Sequence, residues 1–259
     1  MFKIFACITM FVVLVTGAVE RAQADFLHDF ELPTNGQATT KPKPPYTMRQ
    51  VLTRYTPDAH ARLKPLFVGS GLNYPPERLT LIGLKEERLL EVWAYQGGVP
   101  HLVHAYPVLD ASGLPGPKRR RGDHQVPEGI YLINAFNPNS RFHLSMRLNY
   151  PNSFDRLMAE RDGRTDPGSN IFIHGSDYSE GCLAMGDPAI EELFVLVADV
   201  GMDKVRVIIA PHDPRERSLF PIPRGLPEWT NDLYARIERA VADYRLPRDD
   251  TRLALLEED

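Results

Sequence analysis

Seven short apolar runs dominate the middle of this chain, and polar, glycine or proline residues bound each of them. The runs cover residues 79–84, 88–95, 101–108, 129–135, 141–146, 170–175 and 204–210. Apolar runs of this length between turn signals are typical of β-strands. Asn137–Ser140 is expected to form the turn between the fourth and fifth runs. Because such strands must be buried in a sheet, the sequence predicts a mostly β domain of the α+β class.

Helical patterns occur at three places outside these runs. Residues 46–67 predict two short helices, the second of which starts at Pro57. A helix is expected from Pro188 to about Val200, with Asp187 as its N-cap. Residues 228–246 predict an amphipathic helix. One face of this last helix carries the apolar residues Leu233, Ile237, Val241 and Tyr244.

The N-terminus has the three parts of a secretory signal. Lys3 is followed by an apolar stretch from Ile4 to Val19 and then by Ala22-Gln23-Ala24, a small-residue cleavage pattern. We expect cleavage after Ala24 and export to the periplasm, with an uncleaved inner-membrane anchor helix as the alternative. Cys7 lies inside the apolar stretch and would be removed with it.

These patterns divide the chain into five segments. They are a signal peptide (1–24), a proline-rich linker (25–45), a short helical segment (46–76), a main strand-rich domain (77–211) and a C-terminal helical extension (212–259). The formal net charge of -4 offers no electrostatic reason to expect a nucleic-acid partner. The basic run Lys118–Arg121 is interpreted as a solvated turn, with a patch for an anionic partner as the alternative.

Removal of Cys7 would leave Cys182 as the single cysteine, which excludes an internal disulfide. A structural zinc site is disfavoured because it usually needs several cysteine or histidine ligands. His101 and His104 are three apart on a predicted strand, so they face opposite sides and share a metal poorly. Cys182 is therefore either a buried, inert thiol or a thiol retained because it reacts.

The surroundings of Cys182 fit a nucleophile. His174 stands at the end of a predicted strand, where an imidazole can face a cleft and take the proton of a thiol. A backbone carbonyl near Gly175 could hold the other ring nitrogen. Gly181 leaves the backbone beside the sulfur open, so the amides of Gly181 and Cys182 could stabilise an oxyanion. From the residues alone, a structural pair and a catalytic pair both remain possible.

Four stretches together resemble the catalytic domain of the L,D-transpeptidase (YkuD-type) family, most closely its YafK-like branch. The central stretch is IHGSDYSEGCLAM, which contains the HG…SxGC core and is followed by DPAIEEL. The others are VPEGIYLI, LTLIGLKEERLLEVW and NPNSRFHLSMRLNYPNSFD. The resemblance extends over about residues 46–245. It implies a β-sandwich or barrel with a helix after the cysteine and helical extensions at both ends.

The resemblance also implies roles for individual residues. Cys182 would be the acyl-enzyme nucleophile and His174 its general base, with the Gly175 carbonyl orienting the imidazole. Ser179 and Gly181 would shape the turn, and the Gly181 amide would belong to the oxyanion hole. Neither a metal nor an organic cofactor is implied.

The implied substrate is the tetrapeptide stem of peptidoglycan, attacked next to diaminopimelate. The expected activity is transpeptidation for wall cross-linking or protein anchoring. The alternative is hydrolysis by the same site, releasing a stem or a diaminopimelate-linked lipoprotein. A third hypothesis is an idle wall-binding module.

Many family members have Arg where this chain has Ala184. The candidates for contacting an anionic substrate, which could equally be surface polar residues, are Arg141, Ser145, Arg147 and Tyr150.

Overall fold

The computed structural model describes residues 45–245. The predicted signal peptide, Cys7, nearly all of the predicted linker and the last part of the C-terminal extension lie outside the described residues. Within 45–245 the chain forms four α-helices and one short 3-10 helix, Met202–Lys204. The α-helices are α1 (Met48–Gly69), α2 (Ser153–Arg161), α3 (Asp187–Val200) and α4 (Thr230–Val241).

Eight strands form one mixed sheet in the described part of the chain, which makes the fold α+β as predicted. They are β1 (Leu79–Leu84), β2 (Leu89–Gln96), β3 (Val99–Pro107), β4 (Gly129–Ser140), β5 (His143–Leu148), β6 (Phe172–His174), β7 (Leu183–Ala184) and β8 (Val205–Ala210). The spatial order is β3-β2-β1-β8-β4-β5-β6-β7. The pairs β1–β8 and β6–β7 are parallel, and the other neighbouring pairs are antiparallel.

The long strand β4 connects the two halves of this sheet. Its first part, residues 129–132, pairs with β8, and its second part pairs with β5 after a register shift beyond Ile133. The two outer ends of the sheet also meet. Asp110, which follows β3, forms an antiparallel bridge with Ala184 in β7. This bridge partly closes the sheet and brings the segment after β3 next to the predicted catalytic motif.

The central strands β1 and β8 are covered on both faces. In β1, Leu81 belongs to the core that contains α1 and α3, whereas Ile82 belongs to a second core under α4. Strands buried on both faces are expected to be almost continuously apolar, as in β1 and in residues 207–210 of β8, whereas Arg206 near the start of β8 is exposed. The predicted apolar face of α4 supplies the second core with Leu233, Ile237 and Val241, and Tyr244 packs just beyond the helix.

The predicted break at Pro57 is wrong, because α1 is one continuous helix of 22 residues. A proline inside a helix costs about 3 kcal/mol. The helix buries Val51, Ala59, Leu63 and Phe67, and each larger apolar side chain contributes about 1.5–3 kcal/mol. Together these contributions offset the cost of both prolines inside the helix, Pro57 and Pro65. Within residues 45–245, no helix is both long and apolar enough to span a membrane.

Three further local expectations differ from the structure. Asn137–Ser140 belongs to β4 rather than to a turn, and the chain reverses at Arg141 and Phe142. Asp187 is the first residue of α3 rather than its N-cap, which is Gly186, and its carboxylate accepts the Ser176 amide at 2.8 Å. Helix α2 was not predicted, although Asn152 and Asp155 form a capping box at its start.

Candidate active site

The ladder of β5, β6 and β7 places the motif residues in two cross-strand rows. His174 pairs with Ser145 on one side and with Ala184 on the other. Phe172 pairs with Arg147. Cys182 directly precedes β7, so continuing the parallel register of β6 and β7 by one residue places Cys182 beside Phe172. Paired residues and residues two apart share a face. The side chains of His174 and Cys182 therefore lie on one face, with Cα atoms about 8 Å apart from strand spacing and rise.

His174 is buried, with 1% of its surface exposed. Its Nδ1 lies 2.6 Å from the Gly175 carbonyl oxygen, which can only accept a hydrogen bond. Nδ1 therefore carries the proton, and Nε2 has the free lone pair that a general base needs. Burial lowers the pKa of His174, although its bond to Gly175 and the charge of Asp110 act in the opposite direction. The imidazole is consequently neutral at pH 7.

Gly175 occupies a space that no side chain could share. A Cβ atom built there would lie 2.6 Å from Asp187 Oδ1 and 2.9 Å from the Phe142 carbonyl oxygen. The Gly175 amide also donates to the Leu144 carbonyl at 3.1 Å. These contacts fix the peptide whose carbonyl holds the His174 ring. The role of the Gly175 carbonyl in orienting the general base stays a prediction.

The ring of Phe142 covers His174 from the turn between β4 and β5. Their ring centroids are 4.6 Å apart and the planes are inclined by 30°. Phe142 itself is 38% exposed, so it stands between the imidazole and solvent. Sequence reasoning did not predict this contact, because no local pattern relates Phe142 to a residue 32 positions later.

Cys182 is a partly exposed free cysteine. Burial of its sulfur raises the pKa of the thiol, while the Phe172 amide and the charge of Lys118 lower it by smaller amounts. Its Sγ lies 3.9 Å from the Asn170 carbonyl oxygen. A raised cysteine pKa beside a lowered histidine pKa means that the resting pair is thiol and neutral imidazole, not thiolate and imidazolium.

The turn before Cys182 is fixed by hydroxyl groups. Ser179 is buried, and its Oγ accepts the Cys182 amide and donates to the Cys182 carbonyl, both at 2.8 Å. The Ser112 Oγ accepts the Gly181 amide at 2.6 Å. Asp110 accepts the Ser179 amide at 2.8 Å. The segment after β3 thus supports the turn from outside the motif, and sequence reasoning missed Asp110 and Ser112.

Gly181 needs to be glycine. Its φ of +100° lies in a region that side chains rarely adopt, and a Cβ would lie 3.3 Å from the Gln125 carbonyl oxygen. Both amides of the predicted oxyanion hole, those of Gly181 and Cys182, donate to hydroxyl oxygens in this structure. Their role as an oxyanion hole stays a prediction, and it requires these hydroxyl groups to yield to the substrate.

The four candidate substrate contacts have different environments. Ser145 is buried beside His174, and Arg147 is exposed on the same face. Arg141 is exposed in the turn that carries Phe142. Tyr150 is 5% exposed and its hydroxyl donates to the Pro167 carbonyl at 2.8 Å, so its polar atom is already used inside the protein.

The basic run Lys118–Arg121 is largely paired internally. Lys118 is buried and bonded to Asp123, and Arg121 pairs with Asp166 at 2.7 Å. Within residues 45–245, no group of three or more histidine, cysteine, aspartate or glutamate side chains could hold a metal ion.

Comparison with known proteins identifies the domain that contains this site. Residues 77–209 match the sequence profile of the L,D-transpeptidase catalytic domain, YkuD. YafK of Escherichia coli K12, which carries a provisional L,D-transpeptidase name, is 35% identical over 132 residues. The match covers 49% of this chain and 51% of YafK, so this chain spans about half the length of the curated relative it matches.

Solved structures resemble the chain more distantly. The helical cell shape determining protein Pgp2 of Campylobacter jejuni is 24% identical, with a TM-score of 0.44 over 60% of this chain and 57% of that protein. L,D-transpeptidase 1 of Mycobacterium tuberculosis is 12% identical, with a TM-score of 0.30 over 51% of this chain and 62% of that protein. The match to the family profile covers just over half of the chain, and on that basis the chain belongs to the L,D-transpeptidase catalytic domain family.

Proposed function

We propose that this chain is an exported cysteine L,D-transpeptidase that acts on peptidoglycan tetrapeptide stems through an acyl-enzyme on Cys182. The observation that carries the proposal is the His174 Nδ1–Gly175 hydrogen bond of 2.6 Å, which leaves Nε2 as a base on the face that bears Cys182. Membership in the family supplies the substrate class. The apolar N-terminal stretch and Ala22-Gln23-Ala24 support export to the periplasm by a cleaved signal.

The first half-reaction follows from the neutral resting pair. As the thiol attacks the carbonyl carbon next to diaminopimelate, His174 Nε2 takes its proton and a C–S bond forms. The tetrahedral intermediate then collapses. Its C–N bond breaks, and the imidazolium gives its proton to the departing amine. The product is a thioester on Cys182, with the histidine neutral again.

The second half-reaction decides the outcome. An amine that attacks the thioester loses its proton to His174, and the C–S bond breaks to give a cross-link or an anchored protein. Water in the same position gives hydrolysis. In both cases the proton returns to the sulfur, which restores the thiol. Both half-reactions use only the thiol and the imidazole, without a metal or an organic cofactor.

Hydrolysis is the second candidate, and Ala184 is the observation that favours it. Many members of the wider family have Arg at this position, whereas Ala184 is fully buried and its backbone is bonded to Leu109 and Asp110. If that arginine binds a carboxylate of the stem in those members, this chain must bind the carboxylate through other residues. An L,D-amidase of this kind would release stems or a diaminopimelate-linked lipoprotein, which would then be a partner.

Digestion of purified sacculi with wild-type protein and Cys182→Ala tests the proposal. New dimers or exchange of D-amino acids support transfer, whereas free tripeptide stems or a released lipoprotein support hydrolysis. Both products should disappear in Cys182→Ala. Wild-type protein that leaves sacculi and isolated stems unchanged would contradict both candidates and favour an idle wall-binding module. The mass of the exported protein, with Asp25 as the expected first residue, tests the signal.

A further inference from the structure

A polar cleft of about 520 Å³ lies beside the candidate active site. It is formed where β5 leads into α2 and where the chain approaches β6. Its lining includes the amide side chains of Asn134, Asn149, Asn152 and Asn170 and the guanidinium groups of Arg147 and Arg156. We call this feature the arginine cleft. Its lining offers hydrogen-bond donors from two guanidinium groups and from amides, a composition suited to an anion.

The arginine cleft is directly connected to Cys182. Asn170 lines the cleft, and its carbonyl oxygen is 3.9 Å from the Cys182 sulfur. Arg147 pairs with Phe172, the residue beside which the register places Cys182. A substrate whose carbonyl reaches the sulfur can therefore extend past Asn170 into the cleft.

Among the described residues, neither arginine of the cleft forms an ion pair with a carboxylate: Arg147 is hydrogen-bonded to an amide and Arg156 to a backbone carbonyl. Arg147 Nε donates to Asn134 Oδ1 at 2.9 Å, and Arg156 Nη1 donates to the Pro151 carbonyl. Each guanidinium has five N–H groups, so most of them remain available. By contrast, nearby Arg121 is paired with Asp166.

The nearest acidic residue in the sequence is directed elsewhere. Asp155 precedes Arg156, but its carboxylate accepts the Asn152 amide at 2.9 Å and contacts the Tyr131 hydroxyl at 3.4 Å. It caps α2 and does not line the cleft. The charge of Asp155 acts on Arg156 from outside the cleft, but no carboxylate lines the cleft, so its lining carries two positive charges and no negative one.

We propose that the arginine cleft binds a free carboxylate of the stem peptide close to the bond that Cys182 attacks. The inference rests on the proposed function and adds the chemistry by which the substrate is held. Arg147 and Arg156 would supply the positive charge that Ala184 does not. Guanidinium groups suit this ligand because their planar fork matches a carboxylate. Arg156 was not among the candidates that the sequence suggested.

Binding to a protein that cannot react tests the cleft separately from catalysis. In the full chain carrying Cys182→Ala, titration calorimetry would measure the affinity for a tetrapeptide stem and for the same stem with amidated carboxylates. Arg147→Gln and Arg156→Gln should each weaken binding of the free stem by about tenfold, since each removes a charge-assisted contact. Both should bind the amidated stem as weakly as the parent does. Arg239→Gln is the matched control, because Arg239 is an exposed residue of α4 outside the cleft lining.

Two different outcomes separate the two proposals. If the parent binds the free stem but both arginine variants bind it equally well, the cleft is not the carboxylate site and the proposed function is unaffected. If the parent binds neither stem and the wild type turns over neither, the proposed function fails and the cleft proposal fails with it. Arg147→Lys keeps the charge but not the planar guanidinium fork, so it should recover part of the affinity that Arg147→Gln loses. Circular dichroism would show that all variants are folded.

Discussion

The ring of Phe142 stacks on the imidazole of His174, with centroids 4.6 Å apart and planes inclined by 30°. This contact contributes to the burial that lowers the pKa of His174. The active base is the neutral imidazole, so kcat/KM should rise with pH through the lowered pKa of His174 and level off above it.

Phe142→Ala should shift the rise of kcat/KM with pH, the acidic limb of the profile, to higher pH. Without the ring the imidazole is better solvated, so its pKa shifts toward the ordinary value of about 6.5. The variant should therefore lose a larger fraction of the wild-type activity at pH 6 than at pH 8. The pH dependence of kcat/KM measures this shift. Phe142→Tyr keeps the stacked ring and should retain the wild-type limb; an unchanged limb in Phe142→Ala would show that the ring does not shield the base.

Alkylation of Cys182 should require alkaline pH. Because burial raises the pKa of its thiol, the rate with iodoacetamide should still increase above about pH 9. Rates measured between pH 5 and 10 test this expectation. A plateau at pH 7 would instead indicate a preformed thiolate–imidazolium pair. Burial alone explains an alkaline titration, so such a result does not identify an idle binding module.

Ser179→Ala should reduce both turnover and stability. The Ser179 hydroxyl bonds the amide and the carbonyl of Cys182, each at 2.8 Å. Its removal leaves these partly buried groups without their partner, which costs about 1 kcal/mol or more of unfolding free energy. A loosened nucleophile should also lower kcat by about tenfold or more. Urea unfolding and steady-state kinetics measure the two effects. Ser176→Ala is the control, since within residues 45–245 that hydroxyl has one hydrogen bond, to Asp177 at 3.4 Å. Equal losses in both variants would contradict a specific role for Ser179.

The C-terminal extension should stabilise the loop that contains Gly116, and it should do so through Tyr234. Its buried hydroxyl donates to Glu128 Oε2 at 2.9 Å, and the other carboxylate oxygen accepts Lys85 Nζ at 3.0 Å and the Gly116 amide at 2.8 Å. Tyr234→Phe should cost about 1.5–3 kcal/mol, as for a hydrogen bond to a charged group. Urea unfolding would measure the loss. Exposed Tyr178→Phe should change stability by less than about 0.5 kcal/mol, and a similar value for Tyr234→Phe would exclude the proposed link.

Most strands could be predicted because their apolar runs are bounded by clear turn signals. The run 79–84 agrees with β1 at both ends, since its residues are buried on both faces. Strand β7 could not be predicted, because its two residues become a strand only by pairing with β6 and with Asp110. The break at Pro57 was expected from local chemistry, and tertiary burial of α1 overrides it.

The site could be predicted only where its residues are close in sequence. His174 and Cys182 are eight positions apart, and a strand followed by a glycine-containing turn relates them. Asp110 and Ser112 support the same turn from 69 positions away, through bonds to Ser179 and Gly181. Only the folded sheet brings these segments together, so no local pattern could identify them.

Chemistry at Cys182 is tested most directly by rapid-quench mass spectrometry of the full chain mixed with a tetrapeptide stem. The proposed mechanism predicts a mass increase equal to the tripeptide acyl group, located after proteolysis on the fragment that contains Cys182. The adduct should be absent in Cys182→Ala and should form about 10²–10⁴-fold more slowly in His174→Ala. Turnover by Cys182→Ala, or an acyl group on any other residue, would contradict the mechanism.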